Sequence, residues 1–274
     1  CEHALKSLDM LVVIDIFLTD TAKLADVVFP AAAWGEVDGT QTNTERRVQR
    51  LRRAVDPPGE AKPDWQIIQA IAQRMGFKGF DWESAKDVFN EVCELSPTYY
   101  GLDWDRIEHG EYHWPVPDKD HPGTPRLHED GFINGRGIFK LINYRDPAEV
   151  IDDEYPVWLT TGRRLHSYHT RTQTGRAAGI DYFLSEEVLE VHPDDVAEWG
   201  LVDGEWAEIA SRRGKVDIKV KATNKSPRGT VFASFSFADV PINALTGSGY
   251  DPVTQTAELK VCTVKIKPCK KGML

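Results

Sequence analysis

The second half of the chain consists of short apolar runs separated by turns, and this pattern restricts the possible folds most strongly. One helix interrupts them, with Pro193 in its first turn and Gly200 at its end. Arg213 and Gly214 mark a hairpin between two runs. Six short strands with a single helix predict a small closed β-barrel. The runs are Val157–Thr161, Val188–His192, Glu205–Ser211, Lys215–Ala222, Thr230–Phe237 and Leu259–Lys267.

The beginning of the chain has the pattern of parallel strands. Leu11–Ile16 and Ala25–Pro30 are short apolar runs, as expected for strands that are covered on both faces. Ligands of open α/β sheets bind outside the carboxyl ends of the strands. Asp15 and Thr19 follow the first run at that place, so they are candidates for ligand contacts.

Helices are predicted after these strands. Trp65–Met75 has apolar residues at helical spacing, with Asp64 as a suitable N-cap and Gly76 as a stop. A second helix is predicted over Ala85–Cys93. Residues 97–150 hold six of the sixteen prolines and little periodicity, which predicts an irregular connector on the surface.

Length and charge exclude several classes of protein. A chain of 274 residues accommodates one large or two ordinary domains, and 41% hydrophobic residues are typical of globular proteins. The net charge of −10 argues against non-specific binding to nucleic acid or to a membrane surface. No apolar run approaches the roughly 20 residues of a membrane-spanning helix. The sequence therefore predicts neither nucleic-acid binding nor direct membrane insertion.

The cysteines and the first residue bear on processing and location. The chain starts at Cys1 without a signal peptide, which predicts a processed chain or a fragment that lacks its N-terminal portion. The four cysteines are scattered and include no C-x-x-C pair, so local spacing supplies neither an iron–sulfur nor a structural zinc site. Free thiols predict a cytoplasmic location, with the periplasm left open.

Residues 159–176 carry the densest polar chemistry of the chain. They combine arginines, histidines and threonines with Gly162, which lets a backbone approach a ligand closely. These side chains donate hydrogen bonds to anionic ligands rich in oxygen and nitrogen. A phosphorylated heterocyclic cofactor and a solvated basic turn are both compatible with this composition. The spacing from His166 to His169 alone does not predict a zinc site.

Several strings of the sequence, taken in order, form a recognisable set. They are Asp15-Ile-Phe-Leu-Thr19-Asp-Thr-Ala, Ala25-Asp-Val-Val-Phe-Pro30, Gly39-Thr-Gln-Thr-Asn-Thr-Glu-Arg-Arg47, Gly59-Glu-Ala-Lys-Pro-Asp-Trp65, Asp120-His-Pro-Gly-Thr124, the segment 159–176, Asn243-Ala-Leu-Thr246, and Asp251-Pro with Glu258-Leu-Lys260. Together they resemble the molybdopterin oxidoreductases. Within that family the chain is most similar to the catalytic (alpha) subunit of formate dehydrogenases, although Ser236 stands where many of these carry His.

The resemblance implies an α/β plus β fold. A partial Rossmann-like α/β domain is expected over residues 1–96, an irregular connector over 97–152, and a six-stranded, double-psi-type β-barrel that binds the dinucleotide over 153–274. The chain would correspond to the C-terminal portion of the family's catalytic subunits.

The resemblance also implies the ligand, two molybdopterin guanine dinucleotides that chelate one Mo or W. Asp15 and Asp64 would read guanine, because a carboxylate accepts hydrogen bonds from its ring N–H and amino group together. Thr19 would add a hydroxyl to the same nucleotide. The barrel residues expected around the second dinucleotide are Thr161, Gly162, Arg163, His169, Thr170, Thr172, Thr174, Phe235, Asn243 and Lys260.

No catalytic residue and no metal ligand is expected within this chain. By resemblance, the metal-ligating cysteine or selenocysteine, the catalytic histidine and the cysteines of a 4Fe-4S cluster lie upstream of Cys1. The complete enzyme would interconvert formate and CO2, with the remainder of the catalytic subunit and an iron–sulfur electron-transfer subunit as partners. Two alternatives stay open: a nitrate reductase of the same superfamily, and a non-catalytic scaffold subunit of a respiratory complex.

Overall fold

The computed structural model describes residues 2–270, which form two compact units that divide between residues 139 and 140. None of the helices within the described range combines the length and the apolar character of a membrane span. The first unit contains α1 (Glu2–Lys6), β1 (Val12–Asp15), β2 (Val27–Pro30), β3 (Gly39–Thr42), β4 (Arg47–Leu51), α2 (Asp64–Arg74), α3 (Ala85–Leu95), α4 (Trp104–His109) and β5 (Tyr112–His113). The second contains β6 (Val157–Gly162), α5 (Ala178–Asp181), β7 (Val188–Val191), α6 (Pro193–Glu198), β8 (Trp206–Ala210), β9 (Lys215–Ala222), β10 (Thr230–Ser234) and β11 (Val261–Pro268).

The two strands predicted at the start of the chain pair in parallel, with Asp15 opposite Pro30. The chain returns beside β2 just before α2. There Lys62 donates its N–H to the Pro30 carbonyl at 3.1 Å and accepts the N–H of Ala32 at 2.9 Å. The end of β1, the end of β2 and the start of α2 therefore lie along one edge.

Both predicted helices form, but the first one begins differently. The structure shows that the prediction of Asp64 as N-cap is wrong: Pro63 occupies the cap position and Asp64 is the first helical residue. The proline ring fixes φ, here −53°, close to the helical value, so the helix begins directly after it. Gly76 follows the helix end with φ of 81°, as predicted for a stop.

Two segments without a predicted helix or strand are ordered elements. Residues 39–51 contain β3 and β4, which pair antiparallel, with β5 as the third strand of that sheet. The connector contains α4, whose N-cap Asp103 accepts the N–H of Arg106 at 2.8 Å. Burial explains these elements, because Val48 of β4 and Ile107 of α4 share one core with Phe89 of α3.

The second unit confirms the predicted six-stranded barrel. Its strands close in the order β10, β6, β11, β8, β9, β7, with parallel pairs β6–β10 and β7–β9 and antiparallel pairs elsewhere. The predicted hairpin is present, since Ser211 donates its N–H to the Gly214 carbonyl at 2.9 Å. Burial alternates along β6 and β9, as expected for barrel strands, and Leu159, Ile209 and Val231 are fully buried.

Glu149, which precedes β6, binds the hairpin after β8 and the strand β11 of the barrel. Its carboxylate accepts hydrogen bonds from Arg212 Nη1 at 2.8 Å, from Arg213 Nη1 at 2.6 Å and from the N–H of Thr263 at 3.1 Å. Burial of the carboxylate raises its pKa, but the hydrogen bonds from Arg213 and Thr263 outweigh this effect and hold the pKa at about 2. The ionised form of Glu149 therefore stabilises the folded barrel.

We expect Glu149→Gln to lower the free energy of unfolding at neutral pH by on the order of 2 kcal/mol. A glutamate in an unfolded chain has a pKa of about 4.3. The stabilisation by ionised Glu149 is complete above that pH and is lost as the pH falls toward the folded pKa of about 2. The difference in unfolding free energy between wild type and variant, from urea titrations across this range, should shrink accordingly.

Glu154→Gln is the matched control. Glu154 is 66% exposed and pairs only at the surface, with Lys265 Nζ at 3.1 Å. Exposed pairs contribute little, so its unfolding free energy should follow that of wild type at every pH. A constant offset between wild type and Glu149→Gln across the acid range would contradict the assignment.

Candidate functional site

The first group of predicted site residues lies where β1 ends. Asp15 Oδ1 accepts the N–H of Phe17 at 3.1 Å, and the Asp15 carbonyl accepts the N–H of Ala31 at 3.1 Å. Within residues 2–270, Asp15 Oδ2 has no hydrogen-bond partner. Thr19 Oγ1 accepts the N–H of Ala22 at 3.3 Å and keeps its own proton for donation. Both side chains shape a turn and retain capacity for a ligand.

Asp64 lies on the same edge as Asp15. Lys62 pairs beside β2, and β2 pairs beside β1, so Asp64 begins α2 two strand positions away from the end of β1. Asp64 is exposed and makes no capping hydrogen bond, and no other part of the described chain pairs with its carboxylate. The edge therefore presents two carboxylates to a ligand.

The end of β6 places Thr161 and Gly162 in barrel packing. Thr161 is 4% exposed, and its hydroxyl donates to the Leu259 carbonyl at 2.5 Å. A Cβ on residue 162 would lie 2.6 Å from the ring of Phe232. Position 162 thus requires glycine because the ring of Phe232 occupies the place of a Cβ. From the sequence, Gly162 was expected instead to allow a ligand to approach the backbone closely.

The neighbouring arginines of the 159–176 segment have different environments. Arg164 Nη2 lies 2.7 Å from Glu187 Oε1, and its Nη1 lies 2.5 Å from Glu190 Oε1. Glu187 is fully buried, so this is an internal ion pair. Arg163 is exposed and has no ion-pair or hydrogen-bond partner in the described part of the chain. Arg163 is therefore available for an anion, whereas Arg164 is committed to the barrel.

The segment then passes through two left-handed residues. His169 has φ of 48° and Arg171 has φ of 63°. Residues other than glycine adopt this left-handed backbone conformation only where their surroundings impose it. Arg171 pairs with Asp181 and lies over the ring of Phe237. The strained backbone leaves His169 and Thr170 on the exposed side.

The threonines of this segment hold its turn together. The Thr170 and Thr172 hydroxyl oxygens are 3.2 Å apart, and Thr174 Oγ1 accepts the N–H of Tyr168 at 3.2 Å. Each hydroxyl keeps further hydrogen-bonding capacity, which suits an oxygen-rich anion.

Two later candidates meet beside the end of β6. Lys260 Nζ lies 5.4 Å from the ring centroid of Phe235, and the Lys260 carbonyl accepts the N–H of Thr161 at 3.2 Å. Asn243 lies in a short 3-10 turn, Ile242–Ala244, with an exposed side chain. No hydrogen bond or ion pair of the described residues links the Asn243 side chain to the other candidates.

Buried polar groups without partners mark this end of the barrel. Ser167 Oγ, Ser236 Oγ and Arg171 Nε are all buried, and none has a hydrogen-bond partner among residues 2–270. Such groups are rare in folded proteins. Ser167 is not among the residues predicted from the sequence, although its position between His166 and His169 is a signal for it. The spare donors of Ser167 and Arg171, in the same segment as the unpaired Arg163, fit the chemistry of a phosphorylated heterocycle.

The edge of the first unit also carries an aromatic side chain that the sequence argument passed over. Trp34 lies in the turn after β2 and is 73% exposed. Glu36 Oε2 accepts the N–H of Ala33 at 2.8 Å and fixes this turn. In the sequence, the signal for Trp34 was an aromatic residue shortly after the end of a predicted strand. Elsewhere in the described range, no three His, Cys, Asp or Glu side chains group as metal ligands.

The chain matches two known protein families. Residues 1–74 match the family described as Molybdopterin oxidoreductase, and residues 157–263 match the Molydopterin dinucleotide binding domain. The two matches cover the β1–β2 edge with Asp15 and Asp64, and the barrel with its polar segment.

Relatives match along nearly the whole chain. The chain is 46% identical to the F420-dependent formate dehydrogenase 2 subunit alpha of Methanococcus maripaludis and 46% identical to the F420-dependent formate dehydrogenase subunit alpha of Methanocaldococcus jannaschii. It is 39% identical to the assimilatory nitrate reductase catalytic subunit of Bacillus subtilis. Each match covers 97% of this chain but only 39–40% of the relative. The chain thus spans about 40% of the length of these relatives.

A solved structure has the same fold. Acetylene hydratase from Pelobacter acetylenicus aligns with a TM-score of 0.75 over 97% of this chain and 41% of that chain, at 22% identity. Family matches, relatives and fold agree, and the chain belongs to the molybdopterin oxidoreductase family.

Proposed function

We propose that this chain is the cofactor-binding C-terminal part of a formate dehydrogenase alpha subunit. The observation that carries this proposal is the 46% identity to two F420-dependent formate dehydrogenase alpha subunits over 97% of the chain. The complete enzyme interconverts formate and CO2 and exchanges electrons with F420. Its 4Fe-4S cluster belongs to the remainder of the polypeptide, and an iron–sulfur subunit is a partner.

The cofactor of this proposal is bis(molybdopterin guanine dinucleotide) with Mo or W. When bound, it supplies the two-electron redox chemistry, and this chain supplies binding and orientation. Residues 1–96 form the C-terminal part of a Rossmann-like domain, 97–152 connect, and 153–274 form the dinucleotide-binding barrel. The unpaired carboxylate of Asp64 suits a guanine and the unpaired guanidinium of Arg163 suits a phosphate of the second dinucleotide, so each supports the assignment for its own unit.

In this proposal the first unit reads guanine. Asp15 and Asp64 accept the ring N–H and the amino group of guanine, and Thr19 donates its hydroxyl to the same nucleotide. A carboxylate selects guanine over adenine, because adenine lacks two adjacent donors on its pairing edge. The free Oδ2 of Asp15 and the exposed carboxylate of Asp64 provide the acceptors.

The barrel unit binds pyrophosphate and pterin in this proposal. Arg163 and the hydroxyls of Thr170, Thr172 and Thr174 bind the pyrophosphate, and His169 donates to a phosphate or pterin atom. Thr161 and Gly162 act through their barrel packing, which fixes the start of the segment. Phe235, Asn243 and Lys260 surround the pterin, where the amide of Asn243 matches its donor and acceptor edge.

A nitrate reductase is the second candidate function, favoured by the 39% identity to the assimilatory nitrate reductase catalytic subunit. Both candidates use the same cofactor residues, so the residues described here bind the cofactor in either case. The substrate is selected by residues of the remaining polypeptide.

We expect the complete enzyme to reduce F420 with formate and to lack turnover of nitrate. The measurement is the change in F420 absorbance on addition of formate, beside nitrite formation with a reduced dye as electron donor. Nitrate turnover without formate oxidation would establish the second candidate and overturn the first.

We expect Asp64→Asn to lower the guanine dinucleotide content of the complete enzyme. The change replaces one acceptor oxygen by a donor, and a charge-assisted hydrogen bond contributes roughly 1.5–3 kcal/mol, about tenfold or more in affinity. Pterin and GMP released by acid are measured per polypeptide. Asp153→Asn, another exposed aspartate, is the control and should keep full content. Full content in Asp64→Asn would remove Asp64 from the site.

We expect Arg164→Ala to lower the stability of the barrel and Arg163→Ala to lower the cofactor content. Loss of Arg164 leaves the buried Glu187 unpaired and should destabilise the barrel by about 3–5 kcal/mol, measured by urea unfolding. Loss of the exposed Arg163 should change the unfolding free energy by less than about 0.5 kcal/mol while it lowers the pterin content. Equal unfolding effects of the two variants would contradict the distinction.

A further inference from the structure

Glu187 connects the two parts of the barrel that carry the cofactor candidates. It lies directly before β7, its side chain is fully buried, and the proposed function gives it no role. One oxygen, Oε1, accepts hydrogen bonds from Arg164 Nη2 at 2.7 Å and from the N–H of Ser234 at 3.1 Å. The other oxygen, Oε2, accepts the hydroxyl of Ser234. A single carboxylate therefore links the segment after β6 to the end of β10.

The β10 side of this link continues past Phe235. The hydroxyl of Ser234 donates its proton to Glu187, and its oxygen accepts the N–H of Ser236 at 3.2 Å. Both serines are buried. Phe235 stands between them, so the backbone on both sides of its ring is hydrogen-bonded to this group. The position of Phe235 therefore depends on Glu187.

The other side of the link ends next to Arg163. The guanidinium of Arg164 donates through Nε and Nη2 to Glu187 and through Nη1 to Glu190 at 2.5 Å. Its Nη2 also donates to the Val188 carbonyl at 2.8 Å. The donors of a guanidinium lie in one plane, so this set of contacts admits one orientation. Arg164 is therefore fixed inward, and the neighbouring Arg163 is held on the exposed side.

The stability of the barrel alone does not require charged groups at this place. Desolvation of two buried charges offsets most of their attraction, so an apolar cluster of similar volume stabilises a core equally well. A forked ion pair adds direction instead, since each hydrogen bond to the carboxylate restricts an angle as well as a distance. The pair of Arg164 with Glu187 therefore suits a part of the barrel in which geometry matters more than stability.

We propose that Glu187 is a positioning residue of the barrel site, which holds Arg163 and Phe235 at the separation that the cofactor requires. This role rests on the proposed function, because only there do Arg163 and Phe235 bind the cofactor. Glu187 is fully buried, so it acts through Arg164 and Ser234 and not by touching the ligand. Its role is the same for a formate dehydrogenase and for a nitrate reductase, since both candidates use the same cofactor residues.

A double-mutant cycle in the complete enzyme tests this role. Glu187→Gln keeps the size of the side chain and removes the charge that fixes Arg164, and pterin fluorescence then gives the first-order rate of pterin loss from diluted enzyme without denaturant. We expect loss to become about tenfold faster with Arg163 present, but less than about threefold faster in the Arg163→Ala background. The reason is that the separation matters only while Arg163 binds. The same factor in both backgrounds would show a merely structural role and overturn the proposal.

Glu149→Gln is the matched control for the loss of charge. Glu149 is another largely buried carboxylate of the barrel, and it also accepts hydrogen bonds from arginines. The variant should lower the free energy of unfolding and leave the rate of pterin loss at the wild-type value. Pterin loss as fast as in Glu187→Gln would attribute the effect to stability alone and contradict the positioning role.

Ser234→Ala tests the β10 side of the link and retains the ion pair, so it also covers a Glu187→Gln variant that does not fold. Its control is Ser226→Ala, which removes another buried hydroxyl of the barrel, one that donates to the Glu190 carbonyl at 3.2 Å. Pterin loss should become faster in Ser234→Ala alone, and only with Arg163 present. Equal rates in the two serine variants would overturn the proposal. Wild-type enzyme without pterin would overturn the proposed function itself, whereas pterin with additive effects overturns the positioning role alone.

Discussion

The internal ion pair of Arg164 with Glu187 is the interaction on which the rest of the barrel site depends. Glu187 is fully buried and also accepts the N–H of Ser234 at 3.1 Å, while Arg164 reaches Glu190 as well. One ion pair thus ties the polar segment after β6 to the ends of β7 and β10. A buried carboxylate without this partner would be strongly destabilising, so the segment has one well-defined course.

This anchoring separates the residues that shape the site from those free to bind. Arg164 and Thr161 satisfy groups inside the barrel, and Arg171 pairs with Asp181. Arg163 and Asp64 remain without partners in the described range, one on each unit. A site for a charged cofactor needs both kinds of residue, because free donors bind with precision only when packed neighbours fix their backbone.

Much of the fold could be predicted from local patterns. The six barrel strands, the parallel pair at the start and the helix stop at Gly76 follow from periodicity and turn residues, which act over a few positions. The start of α2 could not be predicted in this way, because Pro63 and Asp64 both suit the cap position of a helix. The fixed φ of proline favours Pro63 at that position. The hairpin of β3 and β4 could not be predicted because its strands are polar. It is stabilised by the core that Val48 of β4 shares with residues of α3 and α4.

The sequence by itself determined the barrel, the α/β pattern before it and the resemblance to a cofactor-binding family, since these depend on residue order. Only the tertiary structure decided which polar residues are free. Arg163 and Arg164 are identical neighbours in the sequence, and the difference between them arises from Glu187, more than twenty residues away. The exposure of apolar side chains such as Ile133 is likewise visible only after folding, because burial depends on which surfaces the packed chain leaves uncovered.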